Sequence, residues 1–456
     1  MLQKHQMTLE DYNRIPISTA ILKNAGPAII AMLMVLIYNL ADTFFIGQTH
    51  DALQVAAISI ATPVFLVFMA IGTVFGIGGT SVISRAMGEG KQDYAKKVSS
   101  FCMWSCIIVG TILSLVFWIF MDHLLDIIGS TQDTREMTRT YLVIVAFSGP
   151  FVLIANCFSN ILRSEGKSMK AMTGMLLGNL LNVILDPIMI LTCGWGIAGA
   201  AWATVIGNVV GALSYLIYFW KGESSLSIKL KDCTWREGVM KDVLAIGIPA
   251  SLGSLLMSVS SIIMNTQMAH YGDMALAGIG VAMKVTMMTG MVCIGFGQGI
   301  QPLLGFCVGA KDWERYKKIL RRSNLFSLLL GTVLTLICLI FNKQIVLAFL
   351  TNEQALSYGI SFSKILLSTS FLFGFYYVML NALQAMGAAT ESLIINLSRQ
   401  GLIYIPALFI LQSTFGINGL VWAQPAADVL SLVLLLLLYF PALKKKEGIA
   451  KKASVK

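Results

Sequence analysis

Charge is what this sequence has least of: Asp, Glu, Lys and Arg together make up 12% of its 456 residues. A soluble globular chain carries roughly 25%. Apolar residues fill the gap at 56%, with a mean hydropathy of +0.76. That balance excludes a soluble enzyme and leaves no stretch long enough for a separate soluble domain. Nor does the formal net charge of +10 indicate nucleic acid. The basic residues cluster in short loops between apolar runs and at the C-terminus, in Lys444, Lys445, Lys446, Lys451, Lys452 and Lys456, as membrane-flanking loops do.

Other absences narrow the chemistry. There is no CxxC among the eight cysteines, and those in apolar runs (Cys102 and Cys106 one helical turn apart, Cys293, Cys338) have no histidine nearby, so they read as small packing residues. Of four histidines, His5, His50 and His270 fall in the tail or loops and His123 at the end of an apolar run, which argues against haem or zinc. No GxxxxGK[ST] occurs, so the chain has no nucleotide motor of its own. The first 20 residues lack an apolar core followed by a small-residue cleavage site, so a removable signal peptide is not expected.

What is present is a series of apolar runs of about 20 residues, the length a helix needs to cross roughly 30 Å of hydrocarbon. Gly, Pro and charged punctuation divides them into twelve spans, near residues 21–47, 52–81, 99–121, 139–162, 168–192, 196–220, 243–269, 275–308, 322–345, 357–386, 391–412 and 416–440. The expected fold class is therefore all-α integral membrane. Nearly all of the 33 Lys and Arg residues lie in the N-terminus, in loops following even-numbered spans or in the C-terminal tail, whereas the opposite loops hold Arg135, Arg139 and Lys343. The positive-inside rule places both termini in the cytoplasm.

The two halves repeat. VAAISIA (55–61) matches LAGIGVA (276–282), GIGGT with MGEGKQDYAKK (76–80, 87–97) matches GQGIQ with VGAKDWERYKK (297–301, 308–318), and GIAGAAWAT (196–204) matches GINGLVWAQ (416–424). The three blocks are in register, which points to duplication. Six spans per half is an even number, so the halves share one orientation, as in carriers built from parallel repeats. The domains expected are an N-terminal six-helix lobe (1–220), a cytoplasmic loop (221–242), a C-terminal six-helix lobe (243–440) and a basic cytoplasmic tail (441–456).

Within the spans the ionisable residues are Asp42, Asp186, Asp428, Lys284, Lys364 and Arg399, each a candidate functional group by virtue of its cost in lipid. Asp42 lies six residues before Gln48 and Asp186 seven before Cys193, which sets both roughly 10 Å below the outer surface. Thr204, eight residues after Gly196, reaches a similar layer at roughly 12 Å. In GNLLNVILDPIMI, Asn179, Asn182 and Asp186 form one polar stripe at i, i+3 and i+7. Pro187 lacks an N–H and displaces the carbonyl of Val183. Tyr38 lies one turn from Asp42.

Two carboxylates at one depth among neutral oxygens suit a single cation: one acid holds a proton, or Na+ bridges both with Asn182 and Thr204 as ligands. The competing reading is a structural network pinning spans 1, 5 and 6 together. The first half has no basic residue inside its spans except near their ends, which favours function. The second half lacks the acid pair: Asn265 stands near the counterpart of Asp42, Ile405 opposite Asp186 and Gln424 opposite Thr204. It offers a polar network of Lys284, Lys364, Arg399, Asp428, Asn265 and Gln424, in which Arg399 and Asp428 read as a structural ion pair and Lys284 as either a site residue or a snorkelling side chain. GIGGTS near residue 78 reads as close helix packing. The 24 Met and 24 Phe would suit a pliable cavity for apolar molecules, although composition cannot say which residues line one.

GPAIIAMLMVLIYNLADTFFIG, ILRSEGKSMKAM, GNLLNVILDPIMI with GIAGAAWAT, and FGQGIQPLLGFCVGAK together resemble the multidrug and toxic compound extrusion (MATE) family, in the branch of DNA-damage-inducible and staphylococcal-type exporters. The resemblance spans nearly the whole chain. It implies twelve helices in two pseudo-symmetric six-helix lobes around a central cavity, and export of cationic or amphipathic drugs in exchange for H+ or Na+. It also implies a monomer in a bacterial plasma membrane and no cofactor beyond the coupling ion. The family's coupling site maps onto Asp42, Asn182, Asp186 and Thr204, with Tyr141 at the position of a fourth-helix tyrosine. Some relatives carry a second cation site with a Glu on the seventh helix and an Asp on the tenth; here those spans have no acid, and Lys364 lies in the tenth. A lipid-linked precursor flippase of the same superfamily is the alternative, kept open by Lys284, Lys364 and Arg399. A membrane scaffold without transport would predict no consequence for Asp42→Asn.

Overall fold

In the computed structural model, which describes residues 15–49 and 51–454, the described residues form helices and no strand. Each apolar run is a helix because a backbone in hydrocarbon must satisfy its own N–H and C=O groups within the segment. Span 1 is Ile17–Gly47, span 2 Ala52–Gly88, span 3 Gln92–Ile119, span 5 Ser168–Asp186 continued by Pro187–Thr192, and span 6 Gly196–Trp220. In the second half span 7 is Val239–Ala269, span 8 Asp273–Gly309 and span 9 Trp313–Ile340. Span 4 is a bent pair, Gln132–Phe147 and Gly149–Ser164 at 57°, and span 10 another, Glu353–Leu367 and Ser370–Ala385 at 40°.

The last stretch, Ala389–Gly448, has 60 residues. At ~1.5 Å per residue that is far longer than one crossing. It breaks at Gly416, whose φ of 59° and ψ of −137° lie in a region open to glycine alone, so it supplies span 11 before the break and span 12 after it. The twelve helices expected from the sequence are therefore present, and this is a multi-pass membrane protein. Large apolar side chains such as Ile119, Trp220 and Leu437 face outward, as expected where the surrounding solvent is lipid.

Several helices run longer than their apolar cores. Spans 2, 3, 8 and 9 extend through polar sequence to Gly88, Gln92, Gly309 and Trp313, because an amphipathic end can stay helical in the interface after hydrophobicity has dropped. Span 12 behaves similarly: residues 441–454 continue its helix instead of forming a separate tail. Lys456 and residues 1–14 lie outside the described residues, as do the side chains of Lys451 and Lys452.

Among the described residues two compact units emerge, 30–247 in the first and 15–29 with 248–454 in the second. The start of span 1 thus packs within the second unit, and residues 221–247 within the first. The segment expected as a cytoplasmic loop, 221–242, is tied down. Ser100 donates to the Lys229 carbonyl at 2.6 Å, the Trp104 indole to the Ile228 carbonyl at 3.2 Å, and Lys97 pairs with Glu237 at 2.7 Å. Glu165 is buried and accepts from the hydroxyls of Ser224 at 2.8 Å and Ser225 at 2.9 Å. Burial pushes its carboxyl above the usual range, and those donors pull the other way.

Two irregularities recur at the repeat offset, and a third recurs only in kind, its π-turn lying about nine residues earlier in the second unit. The bends of spans 4 and 10 correspond, as do the short helices Met121–Ile127 and Asn342–Leu347. Spans 5 and 11 both pass through a π-helical turn, Pro187–Thr192 and Ser398–Leu402. In the first unit, a Cβ on Gly78 would strike the Val243 carbonyl, which confirms close packing as the use of GIGGTS.

Candidate functional site

In the first unit the α-helix of span 5 ends at Asp186, and the chain widens into the π-turn that Pro187 begins. Proline removes one ladder donor and displaces the preceding carbonyls, so this turn is where the helix can change its winding. Asp186 sits at that change of geometry and is 0% exposed. One turn earlier Asn182, 2% exposed, donates through Nδ2 to the Thr204 hydroxyl of span 6 at 3.4 Å.

Spans 5 and 6 approach closely enough for that contact because two glycines face each other. A Cβ on Gly178 would lie 2.7 Å from the Gly207 carbonyl oxygen, and one on Gly207 would lie 2.7 Å from the Gly178 oxygen and 3.2 Å from Cβ of Asn182. Gly207→Ala is therefore expected to push span 6 off span 5 and destabilise the protein by about 1–3 kcal/mol. The thermal midpoint of the purified variant measures this, and an unchanged midpoint would mean that the close approach is dispensable.

Thr204 is a hub. Tyr38 of span 1 and the buried Tyr141 of span 4 both lie against its side chain, and Asp42 and Asp186 are close enough for the charge of one to act on the other. Four helices thus bring Tyr38, Asp42, Tyr141, Asn182, Asp186 and Thr204 into one cluster. Its acceptors are under-used: both carboxylate oxygens of Asp186, Oδ1 of Asp42 and Oδ1 of Asn182 are buried without a hydrogen-bond donor. The Asn179 amide of the same stripe is also buried without an acceptor. Buried oxygens of this kind invite a proton or a hard cation, and the donor set of carboxylate, amide and hydroxyl oxygens fits either.

In the second unit the polar residues sort differently. Arg399, carried on the π-turn of span 11, donates through Nε to Asp428 Oδ1 at 2.9 Å. Asp428 also accepts from Gln424 at 3.0 Å and from Thr369 at 3.2 Å. Arg399 further donates to the Tyr377 hydroxyl at 2.9 Å, and its guanidinium lies over the rings of Phe373, Tyr376 and Tyr377 at 5.0, 4.7 and 5.4 Å. The expected Arg399–Asp428 pair is present and fully furnished, with Gln424 as a member.

Lys364 and Asn265 do not belong to this network. Both are exposed and form no hydrogen bond with it among the described residues, because the helical phase that carries each residue turns away from Asp428. Lys284 stays near it, on the wall of a cavity that Arg399 and Gln424 also line. Thr369 and Tyr377 went unread in the sequence: both lie in span 10, where neutral hydroxyls amid apolar residues give no periodic signal.

The MatE family profile matches residues 27–188 and 249–410, two equal blocks in the two halves of the chain. The multidrug export protein MepA of Staphylococcus aureus (strain NCTC 8325 / PS 47) is 31% identical over 434 residues, covering 94% of this chain and 95% of that protein. The protein of the same name from Staphylococcus haemolyticus is 31% identical over 404 residues, covering 88% of each. Among solved structures, the outward-facing conformation of a multidrug resistance MATE family transporter of the MOP superfamily superposes with a TM-score of 0.90 at 24% identity, over 96% of this chain and 98% of that one. A MOP superfamily transporter from Pyrococcus furiosus superposes at 0.89 with 22% identity, over 98% and 100%.

Proposed function

This chain belongs to the MatE family, and from that premise we propose that it is a secondary active antiporter. It exports cationic or amphipathic drugs in exchange for H+ or Na+, from the plasma membrane of a bacterium and with both termini in the cytoplasm. Two lines support drug export over flipping of a lipid-linked precursor: the MepA relatives are named as multidrug export proteins, and Lys364 lies outside the second unit's polar network, which weakens the case for a strongly cationic site.

The observation that carries the coupling assignment is the set of buried, undonated oxygens around Asp186. An ionised carboxylate at 0% exposure without a donor is costly, so the empty site is high in free energy and the occupied one low. Asp42 adds a second negative charge to the same cluster, which raises the benefit of taking up a cation. Thr204 and Asn182 supply neutral oxygens, and Tyr38 and Tyr141 lie beside Thr204. Exchange follows if drug and cation favour different conformations, since a ligand that binds both equally shifts neither. Cation entry at Asp42 and Asp186 stabilises the state that releases drug, and cation loss restores the state that binds it.

The test is export of ethidium from proteoliposomes under an imposed proton or sodium gradient. Drug movement driven by either gradient supports antiport and names the ion. Movement that needs neither gradient would overturn it.

A further inference from the structure

The second unit contains a cavity of ≈300 Å³ that the coupling site does not use. Two helix faces build most of its wall. Span 7 presents Met257, Ser260, Ser261 and Met264, and span 8 presents Met283, Lys284, Met287 and Met291. Each set follows helical spacing, so these are single stripes turned toward one space. The volume is at the lower end of small-molecule sites, about 300–1,000 Å³. Methionine walls are soft and polarizable, and they adapt to flat or chain-like apolar bodies.

The charges in that wall are lopsided. Lys284 and Arg399 line the cavity, and no carboxylate does. Asp428 neutralises Arg399, but its own oxygens are already committed, Oδ1 to Arg399 and Gln424 and Oδ2 to Thr369. Lys284 has no ion pair among the described residues; its ammonium lies 5.6 Å from the centre of the Phe349 ring. Its backbone is eleven residues into span 8 from Asp273, roughly 16 Å along the helix, and its side chain reaches back toward Phe349 in the connection between spans 9 and 10. A half-buried ammonium on an apolar wall, with no ion pair among the described residues, is costly. One surplus positive charge above an apolar chamber therefore suits one negative charge on an apolar body. A pyrophosphate would bring more charge than a single ammonium balances.

We propose that the second unit carries a ligand site of its own for an amphipathic organic monoanion, whose acidic head sits on Lys284 and whose apolar body lies among Met264, Met287 and Met291. The site concerns binding alone and does not depend on which ion drives export, or on whether export is ion-driven.

Equilibrium binding to the full chain in nanodiscs of zwitterionic lipid, with no gradient, tests it with radiolabelled naphthoate, dodecanoate and the neutral analogue naphthalenemethanol. Naphthoate or dodecanoate should bind roughly tenfold or more tightly than the neutral analogue, the effect of one charge-assisted contact. Lys284→Gln should remove that advantage and leave the neutral analogue unaffected, and Lys284→Arg should keep it. Met287→Trp, which fills the chamber, should weaken all three ligands. Preference for naphthoate identifies a soluble aromatic anion as the occupant, and preference for dodecanoate a membrane fatty acid. Equal binding of anionic and neutral probes, or anion binding that survives Lys284→Gln, would overturn the proposal.

Discussion

Asp186→Asn is expected to leave a folded protein that binds drug yet no longer couples its export to a gradient, with transport in proteoliposomes falling by about two orders of magnitude or to background. The substitution keeps the size of the side chain and removes the charge that makes the empty site costly. The undonated oxygens around Asp186 explain why the loss should be so large: no other group in the cluster can take over its role at 0% exposure. Asp42→Asn should act in the same direction with some residual export, because Asp42 is only partly buried. The readout that separates coupling from folding is ethidium binding without a gradient, which both variants should retain. Full gradient-driven export by both would remove the proposed coupling site and leave Asp42 and Asp186 as mere ties between helices.

Breaking the Arg399–Asp428 pair should have the largest effect on stability. Arg399 is 7% exposed and Asp428 5%, so removing either partner leaves a charge buried in a low-dielectric bundle. Loss of one member of such a pair costs about 3–5 kcal/mol. Arg399→Met and Asp428→Leu should therefore each lower the thermal midpoint sharply, whereas the double variant should recover most of the loss, since an apolar pair of similar volume needs no compensation. The double variant still leaves Thr369 and Gln424 without Asp428, so recovery should fall short of complete. If the double variant melts as low as the worse single one, the pair contributes through its aromatic and Tyr377 contacts and not through charge neutralisation.

The cavity on Lys284 and the cluster on Asp186 are complementary in sign. Among the described residues, one unit holds acids that form no ion pair and the other an ammonium that forms none. The repeated sequence blocks show that both descend from one six-helix plan. Replacing Asp186 by Ile405 at the matching position removes the acid, and Lys284 and Arg399 supply positive charge, while both units keep a π-turn in the corresponding span at different registers.

How much of this was legible in the sequence depends on distance along the chain. Composition and run length fixed a multi-pass helical membrane protein, because hydrocarbon leaves a backbone almost no alternative to the helix. Repeat spacing fixed the duplication, and helical spacing placed Asn179, Asn182 and Asp186 on one stripe. Which stripe faces which neighbour was decided by tertiary packing. Gly178 and Gly207 let spans 5 and 6 close until Asn182 meets Thr204, and helix phase turned Lys364 and Asn265 outward while Tyr377 and Thr369, silent in the sequence, turned in. Periodicity defines a face within one helix, but the partner of that face depends on crossing points and side-chain volumes contributed by residues far apart in the chain.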